Sequence, residues 1–161
     1  MNWEALGASG EIFGAGAVVV TLLYLAKQVS QANRISIATG ARELQQKYAD
    51  FYTLVAANQD INNLVTRLRD PDYVARSEEE QEQIESFTLL LLGIWQTSAI
   101  AYEQGQIDKN MYGVYCDDVE VKLSKWPGLR PHAVAILMKY PDAASHEIFS
   151  GLYEEGRLAS D

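Results

Sequence analysis

An apolar stretch near the start of the chain constrains the fold more than any other feature. Residues 5–26 read ALGASGEIFGAGAVVVTLLYLA, a run of 22 residues that contains one charged side chain, Glu11. A helix needs about 20 such residues to cross the hydrocarbon core of a bilayer. The sequence therefore predicts a transmembrane anchor over residues 1–29 and a helical domain over residues 30–161.

The flanks of the apolar stretch predict its orientation. A cleavable signal peptide carries positive charge before its apolar run, whereas here Glu4 comes before the run and Lys27 and Arg34 follow it. Because Lys and Arg stay on the cytoplasmic side, we expect a single-pass protein with its N-terminus outside and its C-terminal domain in the cytoplasm. Trp3 and Tyr24 lie about 32 Å apart along a helix, a spacing that fits aromatic belts at the two membrane surfaces.

Small side chains recur on one face of this predicted helix. They follow one another at steps of three, four, three and four residues, which keeps them on one face. The strip consists of Gly7, Gly10, Gly14, Ala17 and Thr21. Such strips are common contact faces between helices in lipid, where burial of apolar surface does not drive association. The sequence therefore predicts a homo-oligomer, with the chain itself as a partner.

Glu11 flanks the strip inside the predicted span. Acids within a span usually face a protein interior or a water path, so one hypothesis is a ring of Glu11 side chains in an oligomeric cation channel or pore. The other interpretation moves the span to residues 12–29, which leaves Glu11 among the headgroups and lets Lys27 reach the cytoplasmic surface. Both remain open at this point.

Residues 3–33 carry a specific pattern: W-E, then G-E-x-x-G-A-x-A-V-V, then L-x-Y-L-A-x-Q and a final N. This opening resembles that of a large group of short, uncharacterised bacterial membrane proteins. The resemblance implies the bacterial inner membrane and implies no activity. Ser9 and Gly16 stand where that group has larger apolar residues, and this slimmer helix favours closer contact between helices.

The anchor helix is expected to continue as a cytoplasmic stalk over residues 30–58, because no proline occurs before Pro71. Apolar residues of the stalk step by four and three and form a seam. The seam consists of Ile37, Ala41, Leu44, Tyr48, Phe51 and Val55. Periodicity does not distinguish a seam that packs on the chain's own later helices from one that contacts a second copy.

Turn and cap signals divide the rest of the chain into a small helical bundle over residues 77–161. Ser77 and Glu80 form a capping box, and Gly105 ends the helix that they start. Asp108 caps the next helix, which ends at Trp126-Pro127-Gly128, and two short helices follow near residues 129–140 and 142–154.

No segment shows the two-residue alternation of a strand. The predicted fold class is all-α: an N-terminal transmembrane helix that continues into a long cytoplasmic helix packed with the bundle.

The first helix of the bundle raises the question of a second membrane span. Residues 84–102, IESFTLLLLGIWQTSAIAY, are strongly apolar. Glu85, Gln96 and the missing basic flank favour a core helix instead. The stripe that would face the core consists of Ile84, Phe87, Leu91, Ile94, Ser98 and Tyr102.

Charge and reactive residues exclude several functions. The formal net charge is −9, from 13 basic and 22 acidic residues, which disfavours nucleic-acid binding. Cys116 is the only cysteine, so no disulfide forms within the chain. It could pair with His132 or His146 as a catalytic dyad, but a lone cysteine on the apolar side of a helix is usually a core residue. We expect no enzyme, no cofactor and no metal.

Three hypotheses of function follow from the sequence. The leading one is a membrane-anchored homo-oligomer that acts as a scaffold or binds another, unknown protein. The second is the cation pore with a Glu11 ring. The third is a soluble helical regulatory domain whose apolar N-terminal helix docks internally.

Overall fold

The computed structural model describes the backbone of residues 3–159 and the side chains of residues 14–159. Over these residues the chain is helical and contains no strand, as the all-α prediction expects. The helices are α1 (Trp3–Ala57), α2 (Gln59–Arg67), α3 (Glu78–Glu103), α4 (Lys109–Lys125), α5 (Arg130–Lys139), α6 (Pro141–Ala144) and α7 (Ser150–Leu158), with short 3-10 turns at Pro127–Leu129 and Glu147–Phe149.

The chain divides into two compact units, the first ending at Thr39 and the second beginning at Gly40. The first unit consists of the N-terminal part of α1, and every side chain from Gly14 to Thr39 is exposed. The second unit, which we call the helical domain, contains the hydrophobic core. From residue 14 onward, Gly40 is the first buried residue of α1, and a Cβ there would lie 2.9 Å from the Cβ of Gln106.

The core of the helical domain is built around α3. Every residue of the stripe predicted for α3 is buried except Tyr102, which is partly exposed and packs against the core. Trp95 is fully buried beside this stripe. Phe51, Phe87 and Trp126 form an aromatic cluster with ring centroids 5.6 to 6.4 Å apart, which ties α1, α3 and the end of α4 together. The apolar composition of α3 is therefore accounted for by the core.

The predicted seam of α1 divides at the start of the helical domain. Leu44 and Phe51 are buried within the same chain, and Ala41, Tyr48 and Val55 are partly buried against its core, whereas Ile37 is 39% exposed. Of the two alternatives for the seam, packing on the chain's own helices accounts for the residues from Ala41 to Val55. In this conformation the side chains of Leu44 and Phe51 are not available to a second copy.

The helix ends follow the predicted cap signals. The Ser77 hydroxyl accepts the N–H of Glu80 at 3.2 Å, and the Glu80 carboxylate accepts the N–H of Arg76 at 2.7 Å. Gly105 has a φ of +68°, the left-handed conformation that favours glycine at a helix C-terminus. The Asp108 carboxylate accepts the N–H of Met111 at 2.8 Å and caps α4.

Two features differ from the sequence-based expectation. α2 was not predicted. The side chain of Asn58 accepts the N–H groups of Asp60 and Ile61 at 3.0 and 3.2 Å and caps this helix. The prediction of a single helix over residues 142–154 is wrong. That helix is interrupted because His146 is extended, and the 3-10 turn that follows buries Ile148 and Phe149 in the core.

Candidate functional site

The N-terminal part of α1 exposes apolar side chains in every direction. Val18, Val19, Val20, Leu22, Leu23 and Leu25 are each 47 to 68% exposed. Successive residues of an α-helix are rotated by about 100°, so these six side chains cover roughly 220° of the helix circumference. Ala17, Thr21 and Tyr24, none of them charged, occupy the rest. A helix that is apolar all round is normally covered by lipid or by other protein. This segment, Gly14–Ala26, is the first candidate functional surface.

The predicted small-residue strip runs along this segment. Gly14, Ala17 and Thr21 are exposed, and a Cβ added at Gly14 would have no heavy atom within 4 Å. The Thr21 hydroxyl donates to the carbonyl of Ala17 at 2.8 Å, so its hydrogen bond is satisfied within the helix. The described residues of the strip therefore form an exposed surface of small side chains.

The remaining predicted residues of this site are Gly7, Gly10 and Glu11. Their backbone belongs to α1, but their surroundings and the Glu11 carboxylate lie outside the side chains that the structure describes. The Glu11 ring and the upper part of the strip stay predictions.

The C-terminal end of the apolar segment is marked by a polar pair. The side-chain amide of Gln28 donates to the hydroxyl of Tyr24 at 2.9 Å. Beyond Lys27 the exposed residues of α1 are mostly polar. An amphipathic tyrosine followed by cations is typical of a helix that leaves the apolar core of a bilayer.

Among the described residues, one helix, α3, is by length and composition able to cross a membrane. Its most apolar window is 56% buried inside the fold, as expected of a core helix. The anchor predicted over residues 5–26 includes residues whose side chains are not described.

A polar cluster inside the helical domain joins α1, α3 and α4. The Asp118 carboxylate accepts from the Tyr48 hydroxyl at 2.8 Å and from the Trp95 indole N–H at 3.1 Å. Its second oxygen lies 3.4 Å from the ammonium of Lys122, which is 5% exposed and lies 4.6 Å from the centroid of the Tyr52 ring. Burial and the neighbouring carboxylate raise the pKa of Tyr48, so its hydroxyl stays protonated. These groups satisfy one another's hydrogen bonds and charges, so we assign the cluster a structural role.

The three candidate reactive side chains have separate surroundings. Burial raises the pKa of the Cys116 thiol, which favours the unreactive protonated form. His132 faces Gln81 at 3.5 Å, and burial lowers its pKa, whereas His146 lies 2.8 Å from the Glu103 carboxylate. In the described part of the chain no three His, Cys, Asp or Glu side chains are grouped as a metal site would need.

A second exposed apolar surface lies on the helical domain and was missed by the sequence analysis. Two adjoining depressions of about 470 and 580 Å³ run between α1 and α3 and share Leu54 and Leu90. Leu54, Leu89 and Leu90 are 39, 49 and 40% exposed along them. We call this surface the α1–α3 groove. The run of four leucines at 89–92 was its signal, since one face of a helix cannot bury all four.

Comparisons of this chain with protein-family models, with curated proteins and with solved structures found no match.

Proposed function

We propose that this chain is a membrane-anchored, homo-oligomeric helical protein whose cytoplasmic domain acts as a scaffold or protein-interaction module. The observation that carries the proposal is the exposed apolar circumference of α1 over Gly14–Ala26. Covering one large aliphatic side chain is worth about 1.5–3 kcal/mol, so leaving six of them in water is strongly unfavourable. A bilayer covers all faces of a single helix at once.

The homo-oligomer is supported by the uncovered strip of Gly14, Ala17 and Thr21, because small residues let two helix backbones approach closely in lipid. The orientation with a cytoplasmic domain is supported by the cations that follow the segment, Lys27, Arg34 and Arg42. The pattern in residues 3–33 supports the bacterial inner membrane as the location.

The interaction role is supported by the helical domain. It has its own core, and its α1–α3 groove exposes three leucines on one side. Exposed apolar surface of this kind commonly marks a site of protein contact.

The proposal is tested by fractionation and native mass spectrometry of the full-length protein expressed in bacteria. We expect the protein to stay in carbonate-washed membranes and to give one closed stoichiometry after extraction. Replacing Val18 and Val19 together with Asp puts two charges near the middle of the predicted span, at about 2.5–3.5 kcal/mol each, and should release the protein.

The matched control replaces Ile35 and Ile37 with Asp, because both are exposed in the polar part of α1. This variant should remain in the membrane. Recovery of the unmodified protein in the carbonate wash would overturn the anchor and favour the soluble regulatory domain. A membrane-bound monomer would overturn the oligomer alone.

A further inference from the structure

The α1–α3 groove has the dimensions of a helix-binding site. It extends along α3 from Glu79 to Ile94. Fifteen steps at 1.5 Å give a length of about 22 Å, which is roughly four helical turns. Its floor is aromatic, with Phe51 from α1 and Phe87 from α3, and the leucines form its walls. Amphipathic helices bind apolar grooves of this length through side chains at i, i+3, i+4 and i+7.

Gly93 lines the groove beside Leu90 and Ile94. It is exposed, and a Cβ added there would have no heavy atom within 4 Å. The missing side chain costs α3 helix propensity, about 1 kcal/mol relative to alanine. At this position the glycine leaves room for another backbone.

The charges on the groove are uneven. Glu79 and Glu82 line one end, and neither forms an ion pair within the described residues. Asp50 lies on the α1 wall, and the opposite end holds Lys47, which donates to the Thr97 hydroxyl at 3.2 Å. The carboxylates of Glu79 and Glu82 are therefore available to pair with cationic side chains of another molecule.

We propose that the α1–α3 groove binds an amphipathic helix of another protein, with leucine-type side chains on one face and Lys or Arg at the end that meets Glu79 and Glu82. At the groove a second copy of the helical domain is disfavoured, because residues 77–161 carry 15 acidic against 6 basic residues and would bring like charge to Glu79 and Glu82. Anionic lipid headgroups are disfavoured for the same reason. The homo-oligomer proposed above associates through the small-residue strip instead. This inference rests on the proposed function, since it names the partner of the interaction module.

The test uses the full-length protein in phosphatidylcholine nanodiscs and a fluorescent synthetic peptide of about five helical turns, with leucines on one face and three lysines at one end. The second probe is the same peptide with three glutamates in place of the lysines. Empty nanodiscs give the background. We expect fluorescence anisotropy to show saturable binding of the lysine peptide and about tenfold weaker binding of the glutamate peptide.

Two variants assign the binding to the groove. Glu79→Gln combined with Glu82→Gln should weaken the lysine peptide about three- to tenfold and leave the glutamate peptide unchanged or slightly tighter. Gly93→Gln fills the open space at this glycine and should weaken both peptides about tenfold. The matched control is Gly113→Gln on α4, also a helical glycine with open space around it, which should change neither.

Equal affinity for the two peptides, or binding that survives Gly93→Gln, overturns the proposal. Peptide binding equal to that of empty nanodiscs overturns it in favour of the bilayer. A dimer of the full-length protein in native mass spectra that is lost in the Gly93→Gln variant overturns it in favour of a second copy at the groove. Membrane retention and stoichiometry, measured separately, decide the anchor and the oligomer, so a failure of the groove is distinguishable from a failure of the proposed function.

Discussion

Two carboxylates, Glu80 buried and Asp118 partly buried, show how single residues hold the helical domain together. Asp118 satisfies a tyrosine, a tryptophan and a buried lysine. Glu80 is 8% exposed and joins the start of α3 to α2 through Arg67, while it accepts the backbone N–H of Arg76. Each replaces water with several fixed donors, which is the condition under which a buried charge is tolerated.

Glu80 makes the stability of the domain depend on pH. The Arg76 N–H bond is the largest cause that lowers the pKa of this carboxyl below its ordinary value of 4.5, with Tyr73 and Arg67 acting in the same direction against desolvation. Since the folded state binds this proton more weakly, the contribution of Glu80 is complete above 4.5 and is lost as the pH falls through the lowered folded value. Glu80→Gln should remove that part of the acid sensitivity and lower the free energy of unfolding at neutral pH by about 1–3 kcal/mol.

The measurement is urea unfolding of the full-length protein in detergent, followed by tryptophan fluorescence from neutral pH to about pH 3. The control is Glu78→Gln, an exposed acid in the first turn of α3. The assignment is wrong if the variant at position 80 loses stability with acid as steeply as the unmodified chain.

At the scale of the helices, the ends are set by local chemistry and the lengths by the core. α3 begins directly after Ser77, whose hydroxyl accepts an N–H of the first turn, and it stops before Gly105, which has a left-handed conformation. Between them α3 stays intact because Ile84, Leu91 and Trp95 are buried on it. The short helices near the C-terminus have weaker caps, and their bounds follow contacts with the core.

The same substitution should have opposite effects at two glycines. Gly105→Ala places a side chain in a left-handed conformation and should cost about 1–2 kcal/mol. Gly113→Ala, inside α4, should stabilise by up to about 1 kcal/mol through helix propensity. Neither added Cβ would meet an atom within 4 Å, so the difference comes from the backbone alone.

Thermal unfolding followed by circular dichroism measures both changes. Substitutions that shift the midpoint in the same direction would show that packing, and not backbone conformation, decides the effect.

At the scale of the whole molecule, the chain combines an exposed apolar helix segment, residues 14–26, with a domain that buries its own core. The core residues of α3 are buried inside the fold, whereas the large aliphatic side chains between residues 18 and 25 are each 47 to 68% exposed. The first needs other helices of the same chain, and the second needs lipid or further protein.

The small-residue strip gives a prediction for the assembly. Ala17→Leu places a bulky side chain on the strip and should shift native mass spectra of the extracted protein from the oligomer toward the monomer by about tenfold or more in the association constant. Val19→Leu lies on the opposite face of the helix and keeps the strip intact. If both variants give the same stoichiometry as the unmodified protein, copies do not associate through Ala17.

The sequence by itself determined the features that depend on neighbours along the chain. The caps at Ser77 and Asp108, the glycine stop at Gly105 and the helix period that buries Ile84 and Leu91 are local, so all-α architecture followed from them. The apolar character of residues 18–25 was equally evident from the sequence, because it depends on residue type alone.

Only the tertiary structure decided which surfaces meet. The seam of α1 fits either the same chain or a second copy, and the burial of Leu44 and Phe51 inside the helical domain shows that these two residues pack on the same chain. In the polar cluster, Asp118 contacts Tyr48, 70 positions away in the sequence, and in the α1–α3 groove Leu54 lies beside Leu90. Periodicity fixes the face on which a side chain lies, but the residue that covers this face is set by the packing of helices that are distant in sequence.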